Sequence, residues 1–142
     1  MLRRFTGWDS QRSRIEAEVS MLESVYRDVE YDRDHLRWVC AWDFALPPGY
    51  NKARSGLLIE LPLMYPLICP CNFFLDRTVK TSSGRDIEHY YPNENQNKYR
   101  DSGWAWFSVH IESWRVISDV LQSDNLLTAA DVAYLALNNL VM

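Results

Sequence analysis

Between Leu36 and Leu46 the chain alternates with period two. Leu36, Trp38, Cys40, Trp42, Phe44 and Leu46 fall on one side, and Arg37, Ala41, Asp43 and Ala45 fall on the other. Successive side chains of a strand point to opposite faces, so this run predicts a strand with one face in a core. Pro47-Pro48-Gly49 ends it, because adjacent prolines cannot donate to a ladder and glycine permits the turn. Gly56–Leu61 reads as the returning strand, with Leu57, Ile59 and Leu61 inward and Pro62 as its stop. A short strand at Val29–Tyr31, turned by Asp32-Arg33-Asp34, and another at Phe73–Leu75 complete an antiparallel meander of four strands. Trp38, Trp42 and Phe44 are expected to pack together against a helix.

That helix is predicted from Ser10 to Tyr26. Ile15, Val19, Leu22 and Tyr26 repeat at helical spacing, with Asp9 or Ser10 as the cap. Arg12, Arg14, Glu16, Glu18 and Glu23 lie elsewhere on it and read as a solvated face. From Ile117 onward the tendency is again helical, carried by Val120, Leu121, Leu127, Val132, Leu135 and Leu140. Its charges are only Asp119, Asp124 and Asp131, so it is expected to be mostly buried or covered by a partner. Between the last two strand signals, Pro66 and Pro70 fix an extended, non-helical crossing in which Tyr65 fills a flap. Asp76–Gly103 is long and polar, and loops of that length inside a domain usually serve function. The fold class is α+β, one domain over residues 1–142: an N-terminal helix, a four-stranded meander, a long loop and a C-terminal helix.

Charge and length narrow the partners. With 15 Lys+Arg against 19 Asp+Glu, the chain is not built for nucleic acid, whose binding is driven by Lys and Arg. No apolar run approaches the roughly 20 residues that span a bilayer, so no membrane partner is expected. Nothing after Arg3 and Arg4 resembles a secretory signal. Three cysteines, with Cys69 and Cys71 too close for an easy bridge, point to free, buried thiols in a reducing cytoplasm.

Several groups invite a chemical reading. Ser108 and His110 stand two apart, with Glu112 continuing the same strand face, as a nucleophile, base and orienting acid would. An i, i+2 pair on a strand lies about 6–7 Å apart, too far for a hydrogen bond without a bend, so the plainer role is structural. Cys69 and Cys71 with His89 and His110 offer four metal-ligand types, but at no familiar zinc spacing. No metal and no cofactor is expected. Trp104 and Trp106 sit in a second aromatic cluster, Trp104–His110, and read as core or loop anchors rather than a binding platform.

Taken in order, these elements resemble the ubiquitin-conjugating enzyme (UBC) superfamily over roughly residues 10–140. Pro62-Leu63-Met64-Tyr65-Pro66-Leu67-Ile68-Cys69-Pro70 is similar to its Pro-x-x-Tyr-Pro-x-x-Pro-Pro signature, with Cys69 replacing one proline. Tyr91-Pro92-Asn93 resembles its His-Pro-Asn, and Trp114 the tryptophan that opens its Trp-x-Pro. The Trp104–His110 stretch followed by Trp114 resembles most a bacterial branch linked to ubiquitin-like modifiers. The resemblance implies an oxyanion-stabilising role for Asn93, although Asn after Pro92 also suits a plain turn. It further implies that the first helix meets an activating enzyme.

The family's nucleophilic cysteine precedes that tryptophan. Counting back from Trp114 by the family spacing lands on Trp106, and no cysteine follows Cys71. A thioester carrier needs a thiolate. The expectation is therefore a non-catalytic UBC-like protein without a catalytic residue. It would bind a ubiquitin-like modifier, its activating enzyme or another pathway protein. The alternatives are a conjugating enzyme with a displaced nucleophile, Cys71, Cys69 or Ser108 with His110, and an interaction module of the RWD type.

Overall fold

The computed structural model describes residues 7–84, 87, 90–91 and 97–140. Over these the chain forms α1 (Gly7–Glu23), β1 (Val29–Tyr31), β2 (Trp38–Ala45), β3 (Arg54–Glu60) and β4 (Asn72–Asp76). It continues with β5 (Tyr90–Tyr91), a 3-10 turn (Arg100–Ser102), β6 (Trp104–Ser108) and α2 (Leu126–Leu140). The expected meander is present as β1 to β4, each antiparallel to the next. The sheet is wider than four strands, however, with order β1-β2-β3-β4-β6-β5. The Trp104 cluster supplies β6, which pairs with β4, and the long polar segment contributes β5 at the edge. Ala105 and Phe107 are buried while Trp104 and Trp106 are half-buried, the alternation of a strand with two unlike faces.

Both helices lie against one face. Ile15, Val19 and Leu22 of α1 join Leu126, Ala129, Ala130, Ala133 and Leu137 of α2 over Val39, Leu57, Ile59, Phe73, Leu75 and Phe107. The buried stripe of α2 is thus largely alanine, which lets the helix approach closely. Leu135, predicted as part of that stripe, is exposed instead. α2 also starts later than expected. Val120 and Leu121 precede it in an irregular segment, and Asn125 caps it: its Oδ1 accepts from the Leu127 and Thr128 amides at 2.8 and 3.3 Å. Thr128 Oγ1 accepts in return from the Asn125 amide at 3.1 Å, a reciprocal box that fixes the first turn.

The predicted face of β2 needs correction. Phe44, Leu36 and Leu46 do enter the main core, but Trp38, Cys40 and Trp42 point away from the helices. Between Ala41↔Leu57 and Phe44↔Ser55 the register shifts, so two residues of β2 oppose Gly56 alone. The Asp43 carboxylate accepts from the Arg27 and Asp28 amides there, and the Trp42 amide donates to Asp28 O at 2.8 Å. A bulge switches the side-chain parity. At the other end Leu36 adopts φ 55°, which turns its side chain back into the core.

The outer face therefore carries its own small cluster. Cys40, Leu58 and Phe74 are buried there, with Trp38, Tyr99, Trp104 and Trp106 packed around them. The Tyr99 ring meets Phe74 edge-on at 4.9 Å. Trp42 leans on Trp104 with centroids 5.6 Å apart yet stays 42% exposed. A Cβ on Gly56 would come within 2.9 Å of the Trp104 ring and 3.2 Å of Trp42, so the indole pair requires glycine beneath it.

The bulge makes a direct prediction for stability in urea titration. Phe44→Ala is expected to cost about 3–5 kcal/mol, the range for a buried aromatic. Trp42→Ala should cost no more than about 2 kcal/mol, because only one side of its ring is packed. The opposite ranking would mean that Trp42, not Phe44, faces the helices.

Candidate functional site

Three segments with no regular ladder between them line an open groove of about 710 Å³. α1 supplies its floor through Gln11, Arg14 and Ala17. One rim is the flap that follows β3, where Leu63 and Leu67 are 68% and 69% exposed. The other rim is the segment before α2, with Val116 and Val120. Met64, Ile68 and Leu121 extend the exposed aliphatic surface. Prolines confine the flap, and a cis Tyr65–Pro66 bond shapes its turn. Gln11 Nε2 donates to Leu63 O at 2.8 Å and to Tyr65 O at 2.9 Å. The Trp114 indole donates to Pro66 O at 2.8 Å while its ring packs on Tyr65.

Below the groove lies an ion pair that the helical pattern had assigned to a solvated face. Arg14 Nε and Glu18 Oε2 are 2.7 Å apart, with the Glu18 side chain fully buried and Arg14 11% exposed. Glu18 Oε1 accepts the Tyr65 hydroxyl in a short hydrogen bond and the Leu126 amide at 2.8 Å. Arg14 places three further donors on Ile117 O, Ser123 Oγ and Asp124 O, at 2.7, 2.8 and 3.4 Å. Burial pushes the Glu18 carboxyl above its usual range, and the Tyr65, Arg14 and Leu126 donors pull it partly back. The signal was readable in retrospect. Ile15, Glu18, Val19 and Leu22 share one helical face, and Arg14 stands four residues before Glu18.

Of the described candidates, the β4–β6 register sets Cys71 opposite Val109, between Ser108 and His110, but no hydrogen bond links their side chains. Trp106 sits mid-strand, opposite Phe74 on one side and Tyr91 on the other, with its indole donating to Asn72 Oδ1 at 3.0 Å. Ser108 ends β6, so the strand does not extend to His110 and Glu112, and all three are exposed. Among the described residues no hydrogen bond joins Ser108 to His110, and no group of three or more His, Cys, Asp or Glu could hold a metal. Asn93 and His89 lie outside the described residues. No described helix is long and apolar enough to cross a membrane.

A family model described as Prokaryotic E2 family E matches residues 15–133. The chain belongs to the prokaryotic E2 family E. No curated protein and no solved structure matches it. The UBC resemblance is thereby a relationship of the chain, with the helix, meander and Tyr-Pro flap in the family's order.

In this E2-family chain the three thiols differ in ways the sequence did not resolve. Cys40 is buried in the outer cluster, and burial first, then Glu30 and Asp28, pushes its thiol up to about 12. Cys69 is half-buried, its Sγ 4.0 Å from Ile111 O. Cys71, expected to be buried, is exposed just ahead of β4, where its carbonyl accepts the Val109 amide at 2.9 Å. Partial desolvation, Cys69 and Glu60 still raise its thiol. Among the described residues no cation lowers it, and its exposure comes with a raised rather than an activated thiol.

Two measurements follow. With a thiol reagent at neutral pH, Cys71 should label first but more slowly than free cysteine, and Cys40 only on unfolding; labelling of Cys71 faster than free cysteine would refute the unactivated thiol. For the ion pair, Glu18→Ala strands a buried guanidinium and should cost about 3–5 kcal/mol. Glu18→Gln keeps an acceptor for Tyr65 and Leu126 but still leaves the guanidinium without its counter-charge, so it should destabilise by less than Glu18→Ala. The folded state holds the Glu18 proton more tightly than the unfolded chain. Stability relative to Glu18→Gln should therefore fall as pH rises from the ordinary value of 4.5 through the elevated one, then level off. A rise over that window would reverse the assignment.

Proposed function

We propose that this E2-family protein acts in a bacterial ubiquitin-like conjugation pathway as a non-covalent binding partner and does not carry the modifier as a thioester. The observation that carries this reading is the residue at the family's nucleophile position. Trp106 is held by strand pairing on both sides, and the sequence has no cysteine from Asn72 to Met142. A carrier must present a thiolate that accepts an acyl group and then yields it to an amine. Indole does neither.

Binding has a natural seat. The groove between α1, the flap and the segment before α2 exposes a contiguous aliphatic surface of Leu63, Met64, Leu67 and Val116. Patches of this kind on a small domain mark interaction sites. The α1 face supports a pathway protein, the activating enzyme first, as the occupant, and free thiols support the cytoplasm as the place. The exposure of Cys71 favours one second reading, an active enzyme with its nucleophile displaced to the start of β4.

Incubation with the cognate activating enzyme, modifier and ATP, followed by a non-reducing gel, separates the two. The expected result is no adduct, together with retained binding of the activating enzyme that drops at least about tenfold in Leu67→Asp, a change confined to an exposed rim. A reducible adduct that disappears in Cys71→Ser would establish the displaced nucleophile. An adduct stable to thiols but labile to mild base would point to Ser108.

A further inference from the structure

We propose that the Arg14–Glu18 pair is a mechanical coupler between the two rims of the groove, so that seating a partner against one rim is transmitted to the other. The proposal rests on the docking reading for its purpose, but the coupling itself stands on contacts within the chain. The flap rim reaches the pair through Tyr65, whose hydroxyl bonds Glu18. The opposite rim reaches it through Arg14, which bonds Ile117 O, Ser123 Oγ and Asp124 O. Ser123 in turn accepts from the Ile117 amide at 2.9 Å and donates to Arg115 O at 3.2 Å, closing the rim on itself. Leu126, the first residue of α2, shares the oxygen that takes Tyr65.

Neither rim is held by a ladder. Within the flap the backbone makes local turn bonds, such as Leu67 N–H to Met64 O at 2.8 Å, and the other rim has Gln122 N–H to Asp119 O at 3.0 Å; Gln11 and the Trp114 indole add side-chain bonds to flap carbonyls at Leu63, Tyr65 and Pro66. Beside the direct Trp114–Pro66 bond at their mouth, the buried link between the two rims runs through two side chains. A guanidinium whose three nitrogens all bond and a carboxylate with both oxygens engaged have one low-energy arrangement, because any alternative leaves a buried charge unsatisfied. Displacing Tyr65 weakens the hold on Glu18, which frees Arg14 to shift and with it the carbonyl of Ile117. Coupling of this sort is a property of packed, fully satisfied networks, which switch rather than stretch.

The test uses amide hydrogen exchange by NMR on the full chain, with two mild variants that each delete one hydroxyl. Tyr65→Phe touches only the flap side and Ser123→Ala only the other. Each should speed exchange at both reporters, the Leu67 and Gln122 amides, by at least about threefold, while β3 and β4 keep their protection. Acceleration confined to the mutated side would overturn the proposal, and so would an equal rise across the sheet, which reports lost global stability. A second arm measures affinity for the activating enzyme. Both variants should weaken it although both hydroxyls lie beneath the rims. If the unmodified protein binds no activating enzyme, the docking reading fails while the exchange data still decide the coupling.

Discussion

A carboxylate without solvent contact sets the terms for the rest of this molecule. Removing Glu18 from water is unfavourable unless every lone pair finds a donor, and the three donors it finds come from three separate segments. Arg14 one turn earlier supplies charge, the flap supplies a hydroxyl and the first turn of α2 supplies an amide. The helix that the sheet needs as a lid therefore also fixes where the flap and α2 sit. An apolar residue at this position would pack as well on α1 and would leave those two elements free to choose other positions. The ion pair is best understood as a device for specificity of arrangement rather than net stability.

Much of the framework was legible from local pattern. The period-two runs, the Pro-Pro-Gly break and the spacing of Ile15, Val19 and Leu22 report directly on strand, turn and helix, because each is a short-range consequence of backbone geometry. What failed was parity along β2. Trp38 to Trp42 is apolar at every position, so the run is compatible with burial on either face, and only a contact distant in sequence decides between them. The bulge that decides it is held by Asp43 capping the amides of Arg27 and Asp28, fifteen or more residues away. The extra strands β5 and β6 escaped for the same reason. A strand of two residues has no periodicity to read, and its existence depends on the partner that β6 provides.

The candidate site was legible in a different sense. The Tyr65-Pro66 flap and Trp114 were visible as residues, and the structure joins them through the Trp114 indole and the Tyr65 ring. Arg14 and Glu18 were visible too but were misassigned to water, because charged residues on a surface helix are usually solvated. A carboxylate inside an apolar stripe, with a cation one turn before it, is the pattern that marks the exception. The reactive groups Ser108, His110 and Cys71 illustrate the converse. Each type is capable of nucleophilic chemistry, but adjacency in sequence did not become adjacency of function, since the strand ends at Ser108 and the described surroundings of Cys71 raise its thiol.

Topology then separates the two things an E2-like protein must combine. The groove is built from α1 and the loops beside it, on the helix side of the sheet. Trp106 belongs to the cluster on the opposite face, opposite Phe74 and bonded to Asn72. The strand that carries it pairs with β4 on one edge and β5 on the other, so its backbone has no freedom to swing toward the helices. A protein held in the groove therefore lies across the full thickness of the sheet from residue 106. Widening the sheet with β6 and β5 thus puts the groove on one face and tryptophan packing on the other.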